Sequence, residues 1–376
     1  MTSIIADDLS GAGDTGVQFV RAGCTVAVLL SVDSIGAHDD DLVAIDLDAR
    51  HDQAERVASK TRDACRALAA NGRTVAYLKI DSTLRGQPGT MIDAALRETG
   101  RRLAVVAPAF PAMGRCVVGG RLRDATSDER DGLDICRLLT SQHLEPVTGI
   151  EHGNVDALRR ALHRLIETGA RAAVVDARTD AHLADVVAAA EQLGDSVLLV
   201  GSGGLAIALA ARCAHPHPHP LDADWDTGPV TIIVGSDHPV TQRQLDCFRR
   251  ERNPQCIDLT DAFDKRMDAA RSADQDVLVR LRWAPQEERN RLSSWAASLG
   301  ERAAARLFLC GGDTARLVCS AAGVTGISLG GEVTTGIPWG RLAGGKAYGS
   351  PVVTKSGGFG DDHAIIKAVN YLRDPN

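Results

Sequence analysis

The sequence predicts an α/β protein with two open, mainly parallel-sheet domains and an active site in the cleft between them. Short apolar runs alternate with longer amphipathic or Ala-rich runs along the whole chain, which is typical of parallel strands joined by crossover helices. The chain has 376 residues, more than one ordinary domain needs, and 44% of them are apolar. Glycines and acidic residues cluster after several strands, where such sheets bind ligands.

The strand and helix predictions follow from these periodicities. In the first half, strands are predicted at residues 3–6, 25–30, 42–45, 74–80, 102–107, 172–175 and 196–200. Helices are predicted at 54–70 and at 154–168, where Asn154 is the expected N-cap. In the second half, strands are predicted at 230–234, 255–259, 276–281, 306–310, 326–329 and 351–354, with a last helix at 361–372.

Three His-Pro repeats at residues 215–220 mark the predicted domain boundary. Their prolines lack an N–H donor and push the preceding residues towards extended geometry, so the segment suits neither a helix interior nor a central strand. We therefore predict domains at 1–214 and 225–376, with a semi-rigid linker at 215–224. A metal site formed by His215, His217 and His219 is the alternative.

Composition limits the partners and the compartment. The net charge of −7 argues against a nucleic-acid surface, so a small molecule is the expected partner. Nine cysteines without a CxxC pair indicate reduced thiols in the cytoplasm. An apolar run long enough for a membrane span is absent from the sequence, and Met1 leads almost directly into a strand, so neither secretion nor membrane anchoring is predicted. A homo-oligomer is left open.

The first motif is D-D-L-S-G-A-G-D-T-G at residues 7–16, directly after the first strand. Its glycines allow close approach of a ligand, and its acids can hold Mg²⁺ or accept a hydroxyl proton. The alternative is a glycine-rich turn in which Asp14 or Ser10 caps the following helix.

Two further strand ends carry K-I-D-S-T-L-R-G at 79–86 and A-P-A-F-P-A-M-G-R at 107–115. We expect them to bring five polar side chains to the same crevice, namely Lys79, Asp81, Ser82, Arg85 and Arg115. Guanidinium groups and a lysine suit a carboxylate or a phosphoryl group in transfer. An internal ion-pair network of Lys79 and Arg85 with Asp81 and Asp8 is the alternative.

Glycine turns recur after the strands of the second half, at 235–244, 311–314 and 354–361, with a further glycine-rich segment at 330–338. The backbone N–H groups of strand-to-helix turns bind anions, so three such turns suggest a polyphosphate. Each turn taken alone is equally well explained as a tight turn with a capping side chain. The G-x-x-x-x-G-K-[ST] loop is absent from the sequence, which excludes a P-loop enzyme.

A competing motif is V-G-S-G-G-L-A at 200–206, which matches the dinucleotide fingerprint G-x-G-x-x-A. It supports an NAD(P)-dependent oxidoreductase as an alternative. The acid expected some twenty residues later would be Asp222 or Asp224, beyond the His-Pro segment. A ligand-sensing protein with two lobes is a third class, which the density of acids and arginines at strand ends disfavours.

These motifs together resemble the four-carbon acid sugar kinase family, in order and over nearly the whole chain. The resemblance covers residues 7–19, 79–86, 107–115 and 200–206 in the first domain, and 235–244, 311–314, 332–338 and 355–360 in the second. It implies a substrate-binding first domain, a nucleotide-binding second domain, and ATP- and Mg²⁺-dependent phosphorylation of a terminal hydroxyl of a compound similar to threonate, erythronate or 3-oxo-tetronate.

The resemblance also implies roles for individual residues. The catalytic set is Asp8, Asp81, Lys79 and Arg85; the substrate-binding set is Asp7, Ser82, Gly86, Phe110 and Arg115; the ATP-binding set is Ser236, Gly311, Gly312, Asp313, Thr314, Lys355, Gly357 and Gly358. Asp8 is slightly favoured over Asp81 as the base, because Asp81 can instead orient Arg85. The metal ligands stay open.

The chain departs from the family pattern in three places. Gly13 gives the segment G-A-G-D, which imitates the catalytic turn of ribokinase-like sugar kinases, and this is a further alternative. Residues 121–137 are polar and short, which leaves the exact sugar acid open. Asp237 and His238 follow the first glycine turn of the second domain where relatives carry smaller residues, which leaves the nucleotide contacts open.

Overall fold

The computed structural model describes residues 2–124, 132–213, 221–283, 285–300 and 305–375, which form two α/β lobes. The strands of the first lobe are β1 Thr2–Ala6, β2 Val26–Leu29, β3 Leu42–Asp46, β4 Thr74–Lys79, β5 Leu103–Ala107, β6 Arg115–Val118, β7 Arg121–Asp124, β8 Leu133–Asp134, β9 Val147–Ile150, β10 Ala172–Val175 and β11 Val197–Gly201. Those of the second lobe are β12 Val230–Val234, β13 Gln255–Ile257, β14 Val277–Arg280, β15 Arg306–Cys310, β16 Gly326–Thr334, β17 Ile337–Ala343 and β18 Pro351–Lys355.

Helices cross between most of these strands. The first lobe has α1 Leu9–Arg21, α2 Ala54–Ala70, α3 Pro88–Thr99, α4 Ile135–Ser141, α5 Val155–Glu167, α6 Asp180–Glu191 and α7 Gly203–Ala210. The second lobe has α8 Pro239–Arg252, α9 Phe263–Ser272, α10 Gln286–Ala297, α11 Gly312–Ala321 and α12 Ala364–Arg373. Short 3₁₀ turns occupy Val32–Ala37, Pro111–Met113 and Gly194–Ser196.

The sheets of the two lobes join edge to edge into one sheet of 15 strands. Its order is β13-β14-β12-β15-β18-β17-β16 in the second lobe, followed by β2-β3-β1-β4-β11-β5-β10-β9 in the first. Within this sheet, the strands of the first lobe are parallel to one another, whereas β17 is antiparallel to both of its neighbours. A separate antiparallel sheet of β6, β7 and β8 lies outside this order.

The junction between the lobes is the antiparallel pair of β2 and β16. Gly326 pairs with Leu29, and Ser328 pairs with Ala27. Gly326 fits this junction because a Cβ at that position would lie 2.7 Å from the carbonyl oxygen of Val28. The predicted mainly parallel α/β lobes are thus present, and one antiparallel strand pair connects their sheets.

The sequence periodicities place many elements well. The strands β10, β12 and β15 and the helix α2 have the predicted bounds. Asn154 caps α5, since its Oδ1 accepts a hydrogen bond from the N–H of Ala157 at 2.9 Å. The last helix begins three residues later than predicted, at Ala364, and β16 runs on to Thr334.

The strand β17 was not predicted. Its segment contains Pro338 and Gly340, residues that usually argue against a strand interior. Here Gly340 is needed, because a Cβ would lie 2.3 Å from the carbonyl oxygen of Ser328 on β16. Pro338 lies opposite Glu332 where the register between the strands shifts. A proline is tolerated at such an irregularity because the local hydrogen-bond ladder is already interrupted.

The predicted His-Pro linker falls only partly within the described residues. Residues 214–220, and with them the alternative metal site of the three histidines, lie outside them. Residues 221–224 lie against the second lobe, where Arg341 on β17 donates to the carbonyl oxygens of Asp222 at 3.3 Å and Asp224 at 3.1 Å.

All nine cysteines are free thiols. In the part of the chain that the structure describes, the helices are too short or too polar for any of them to span a membrane.

Candidate functional site

A cavity of about 320 Å³ lies where the two lobes meet, at the carboxyl ends of their parallel strands. The first lobe lines it with Asp8, Arg50, His51 and Arg85. The second lobe lines it with Trp283 and with residues 235–238, 311–314 and 356–358, the turns that follow β12, β15 and β18. Because these three strands are neighbours in the sheet, their turns come together at one edge. The glycine turns and one predicted catalytic acid therefore share a cavity.

Asp8 stands between β1 and α1. Its Oδ1 accepts a hydrogen bond from the N–H of Gly11 at 2.7 Å, so Asp8 is the N-cap of α1, where the sequence had suggested Asp14 or Ser10. Gly11 allows this geometry, because a Cβ there would lie 2.7 Å from Oδ1 of Asp8 and 2.9 Å from Nζ of Lys79. The cap fixes the carboxylate at the cavity wall.

Arg50 is the most connected side chain of the site, and sequence reasoning missed it. Its guanidinium donates to Asp7 at 2.9 and 2.8 Å and to Asp8 at 2.5 and 2.8 Å, and lies 3.8 Å from Asp81. Asp7, expected to bind substrate, is thus held by Arg50. Gly86 packs under the backbone of Arg50, because a Cβ at Gly86 would lie 3.0 Å from the Arg50 carbonyl oxygen.

Arg50 carries little signal in the sequence. It follows β3 without a neighbouring glycine, and its aspartate partners are 42 and 43 residues away. The contact arises because β3 and β1 are parallel neighbours, so that the loops after both strands meet at one sheet edge. The only usable signal was that Arg50 is a basic residue four positions after the end of β3, the strand that pairs with β1.

Asp81 is saturated with donors. Arg85 donates to its two oxygens at 2.6 and 3.0 Å, and the Thr83 hydroxyl donates at 2.5 Å. Burial raises the pKa of Asp81, but the hydrogen bonds from Arg85 and the charge of Arg50 outweigh it and hold the pKa well below its ordinary value. Asp81 is therefore a weak base that orients Arg85, whose side chain is 62% exposed and turned towards the cavity mouth.

Lys79 is buried behind the cavity wall. Its Nζ lies 3.9 Å from Oδ1 of Asp14, and its side chain is 4% exposed. Burial raises the pKa of Asp14 to about 6, and the nearby charge of Lys79 limits the rise. The pair links β4 to α1 beneath the Asp8 cap. Lys79, expected among the catalytic cations, thus meets the internal carboxylate of Asp14, a partner that the ion-pair alternative with Asp81 and Asp8 did not include.

The remaining first-lobe candidates are not among the residues that line the cavity. Arg115 donates to the Ser82 hydroxyl at 3.0 Å, which joins the start of β6 to the loop after β4. Phe110 is buried, and its ring lies 6.0 Å from that of Phe359 in the second lobe. Arg115 and Ser82 are thus brought together as predicted, whereas Phe110 forms part of an apolar contact between the lobes.

The three turns of the second lobe touch one another. A Cβ on Gly357 would lie 2.2 Å from the Ser236 hydroxyl, and a Cβ on Gly235 would lie 2.2 Å from Oγ1 of Thr314. Gly311 has φ +108 and precedes α11, whose first N–H groups have no partner within the helix. Thr314 Oγ1 is buried without a hydrogen-bond partner. These unpaired donors at a helix N-terminus suit an anion such as a phosphate.

Lys355 supports one of these turns from inside. It is 1% exposed, and its Nζ donates to the carbonyl oxygens of Ser356 at 2.9 Å and Gly357 at 3.1 Å. Burial lowers its pKa. Predicted to bind ATP, Lys355 is positioned to shape the turn at 356–358, where Gly358 also lines the cavity.

Contacts across the cavity bring the lobes together. A Cβ on Gly312 would lie 2.7 Å from Oδ2 of Asp8, so the second glycine turn touches the acid of the first lobe. Asp313 lies 3.4 Å from His51, and Arg316 on α11 lies 3.0 Å from the buried carboxylate of Asp46. The predicted catalytic acid and the second glycine turn are thus adjacent.

Trp283 is a second residue that the sequence analysis missed. It follows β14 and lines the cavity, and its indole N–H donates to the carbonyl oxygen of Gly235 at 3.1 Å. With 3% aromatic residues in the chain, a tryptophan three residues beyond a strand end was an available signal.

The dinucleotide-type loop at 200–206 is filled by protein. A Cβ on Gly203 would lie 2.6 Å from the Phe110 ring, and one on Gly204 would lie 2.4 Å from the carbonyl oxygen of Ala109. The Ser202 hydroxyl donates to Pro108 O at 2.9 Å. These glycines permit close packing of α7 on the loop after β5, so the oxidoreductase alternative is not favoured.

Two family models match the chain. A sugar-binding N-terminal domain matches residues 2–209, and a nucleotide-binding C-terminal domain matches residues 231–365. The chain is 35% identical to a D-threonate kinase of Bordetella bronchiseptica, with 99% of this chain and 97% of that protein covered. It is 34% identical to a D-threonate kinase of Cupriavidus necator (97% and 96% covered) and 29% identical to a D-erythronate kinase of Heliobacterium modesticaldum (98% and 96% covered).

Solved structures show the same fold. A Haemophilus influenzae protein superposes with a TM-score of 0.76 at 20% identity, with 98% of this chain and 100% of that chain covered. A Bordetella bronchiseptica domain of unknown function, crystallised with citrate as a domain-swapped dimer, has a TM-score of 0.50 at 33% identity, with 99% and 98% covered. The two matched domains span most of the chain, and the motifs at its cavity are those of the resemblance. The chain belongs to the family of four-carbon acid sugar kinases, whose members pair a sugar-binding N-terminal domain with a nucleotide-binding C-terminal domain.

Proposed function

We propose that this protein transfers the γ-phosphoryl group of ATP to the terminal hydroxyl of a four-carbon sugar acid, with D-threonate as the first substrate to test. The shared cavity carries this proposal, because it places the Asp8 carboxylate beside the glycine turns of the second lobe. The first lobe, residues 1–214, would bind the sugar acid, and the second, residues 225–376, would bind the nucleotide. The D-threonate kinases among the relatives support the choice of substrate.

Asp8 is the proposed general base. Phosphoryl transfer needs mainly alignment of the reactants and compensation of charge, so a weak carboxylate base beside the hydroxyl suffices. Both oxygens of Asp8 are fixed by Arg50 and one by the Gly11 N–H, and the carboxylate still lines the cavity. Proton transfer from the hydroxyl to Asp8 would leave the oxygen free to attack the phosphorus in line with the leaving ADP.

Arg85 and Arg115 are the proposed anion contacts of the acceptor. Arg85 is fixed by Asp81 on one edge of its guanidinium and leaves its remaining N–H groups to the cavity. Arg115, at the start of β6, is held by Ser82, which lies in the same loop after β4 as Arg85. Planar guanidinium groups bind carboxylates with two parallel hydrogen bonds. They would anchor the carboxylate of the sugar acid and set its far hydroxyl against Asp8.

The proposed ATP site uses the three turns of the second lobe. The unpaired hydroxyl of Thr314 and the N-terminal N–H groups of α11 suit the phosphates, with the turns at Ser236 and Gly357 on either side. Trp283 also lines the cavity, and its indole ring is the proposed aromatic surface for the base. Lys355 and Gly358 would act by shaping the third turn.

Mg²⁺ fits the acidic side chains at this cavity. Asp8, Asp237 and Asp313 are carboxylates that line it, and carboxylate and phosphate oxygens are the ligands that Mg²⁺ prefers. A bound Mg²⁺ would neutralise charge on the phosphates of ATP. Asp313, at the start of α11 beside the phosphate turn, is the proposed protein ligand.

A coupled assay of ADP release tests the activity and the substrate together. We expect turnover with ATP and D-threonate, and lower kcat/KM with D-erythronate, L-threonate and a 3-oxo-tetronate. Turnover of another four-carbon acid with higher kcat/KM would reassign the substrate but keep the reaction. Absence of ADP release with all four acids, from folded protein that binds ATP, would overturn the function.

The surroundings of the protein are proposed as well. Nine free thiols suit a reducing compartment, so the cytoplasm stays the predicted location. A homodimer is the proposed oligomer, since the domain-swapped relative makes one. Sedimentation measurements on the intact chain would decide between a monomer and a dimer.

A further inference from the structure

A mixed cluster of thiol, carboxylate and imidazole lies between α8 and the start of α12, and none of its three residues lines the cavity. Cys247 and Glu251 are four residues apart on α8, and His363 immediately precedes α12. The Cys247 Sγ lies 3.1 Å from Oε1 of Glu251, and the same oxygen lies 3.4 Å from Nε2 of His363. All three ligand atoms lie within 4.8 Å of one another. Nothing in the proposed kinase reaction uses these groups.

We propose that Cys247, Glu251 and His363 bind one zinc ion. Zn²⁺ prefers sulfur, nitrogen and carboxylate oxygen ligands in a tetrahedral arrangement. Where the protein supplies only three ligands, a water occupies the fourth position. Its usual bond lengths put neighbouring tetrahedral ligands roughly 3.4–3.6 Å apart. The Sγ–Oε1 distance of 3.1 Å and the Oε1–Nε2 distance of 3.4 Å are close to that spacing, so small rotations of the side chains would bring these atoms to the metal.

The chemistry of the cluster favours zinc over a hard cation. The positive charge of Arg250 lies beside Cys247 and Glu251 and would repel an ion held by charge alone. A thiolate forms a strong bond to Zn²⁺, whereas Mg²⁺ and Ca²⁺ prefer oxygen ligands. Cys247 is buried, and Glu251 and His363 have side chains 43% and 55% exposed, so the open coordination position faces solvent.

The position of the cluster assigns it a role in stabilising residues 356–358, the turn after β18 that lines the cavity. One face of α8 follows the chain from residue 357 to residue 363. Thr241 donates to Gly357 O at 2.7 Å, and Gln244 donates to Phe359 O, Gly360 O and Asp361 O at 2.9, 3.1 and 2.8 Å. The zinc ligands of α8 continue this face by one and two more turns. A metal there would fix His363, the end of the segment that begins at Gly357.

Cobalt substitution tests the site without reference to activity. The intact protein is reduced, treated with a chelator, and titrated with Co²⁺. We expect one equivalent to give intense visible bands of tetrahedral Co²⁺ and a near-ultraviolet charge-transfer band from the thiolate, both removed by added Zn²⁺. The charge-transfer band is the decisive signal, because the histidines of residues 215–220 contribute no sulfur.

Matched variants assign the ligands. His363→Gln changes an exposed side chain and leaves the core intact, and Cys247→Ser removes the sulfur; both are expected to lose the charge-transfer band. Cys256→Ser, at an exposed cysteine elsewhere in the second lobe, is expected to keep it. Zn²⁺ is expected to raise the Tm of the wild type and leave that of His363→Gln unchanged. Absence of the band in the wild type, or its persistence in both ligand variants, would overturn the site.

Discussion

Arg50 and Asp8 are joined by two hydrogen bonds, of 2.5 Å from Nη1 to Oδ2 and 2.8 Å from Nη2 to Oδ1. The pair spans the loops that follow β3 and β1, and the same guanidinium holds Asp7. Two adjacent carboxylates would repel each other without this cation. The proposed base therefore depends for its orientation on a residue from a different loop.

Replacing Arg50 with lysine is expected to lower kcat by on the order of 10²-fold, the usual loss when one fixed donor of a site is removed. Lysine keeps the charge but cannot donate to two carboxylates in one plane, so Asp7 and Asp8 lose their shared orientation. Steady-state kinetics with saturating ATP and sugar acid measure the effect. Arg97→Lys, in an exposed ion pair with Asp93 on α3, is the matched control and should stay near wild type. Equal kinetics in both variants would contradict the role of Arg50.

The two acids predicted as candidate bases are expected to behave differently. Asp8→Asn should lower kcat by roughly two to four orders of magnitude and change the KM of the sugar acid only a few-fold, because a general base acts in the transition state. Asp81→Asn should mainly raise that KM, since Asp81 orients Arg85. Separate measurements of kcat and KM for both variants distinguish these effects. If Asp81→Asn abolishes turnover and Asp8→Asn does not, the roles must be exchanged.

Two glycines of the nucleotide turns should report on different steps. Gly357→Ala places a methyl group 2.2 Å from the Ser236 hydroxyl, within the second lobe, so ATP binding should weaken while kcat at saturation changes less. Gly312→Ala places one 2.7 Å from Oδ2 of Asp8, so kcat should fall even when ATP is saturating. Calorimetric ATP titration combined with kinetics separates the two. A pure loss of ATP affinity in Gly312→Ala would mean that its contact with Asp8 is unimportant.

Trp283 is expected to report nucleotide binding directly. Stacking of the base on the indole should quench its fluorescence, and this signal should disappear in Trp283→Phe while ATP affinity is largely kept. Trp283→Leu removes the aromatic face and should weaken ATP binding roughly 10-fold, the typical size of one base-stacking contact. Titration of fluorescence and heat with ATP measures both. Unchanged affinity in Trp283→Leu would place the base elsewhere.

The buried Asp46 is expected to make stability depend on pH. Burial raises its pKa to about 7, and the Arg316 charge only limits the rise. The folded state therefore holds this proton more tightly than the unfolded state, so the free energy of unfolding falls as pH rises from about 4 to about 7. Asp46→Asn has no titrating carboxyl group at this position, so its free energy of unfolding should rise relative to that of the wild type over the same interval.

Urea unfolding at several pH values measures that difference. Asp48→Asn is the matched control, because Asp48 is an exposed neighbour at 3.9 Å from the same Arg316. A constant difference between Asp46→Asn and wild type from pH 4 to pH 7 would show that the carboxyl group is ionised throughout.

Local sequence patterns were sufficient to predict those helices and strands whose structure depends mainly on their own residues. Two elements have the expected bounds, the strand Val230–Val234 and the helix Ala54–Ala70. In each, the spacing of apolar residues within the segment itself shows which faces are buried. The strand at Ile337–Ala343 was missed because its proline and glycine are acceptable only against the neighbouring strand that surrounds them. Arg50 was missed for a related reason, since its partners are set by strand order. The N-cap was assigned to the wrong residue because three acids and a serine compete within eight positions.

The β2–β16 junction limits how the protein can open. Backbone hydrogen bonds connect the lobes at this strand pair. Separating the lobes would break these hydrogen bonds and expose two strand edges with unpaired N–H and C=O groups, which promote aggregation. A change in the distance between the lobes would therefore involve twisting or bending of a continuous sheet. The same junction is compatible with domain swapping. The β2 strand of a second molecule has the same backbone hydrogen-bonding groups, so β16 could pair with it in the same register. In such a dimer, each cavity would be built from two polypeptides.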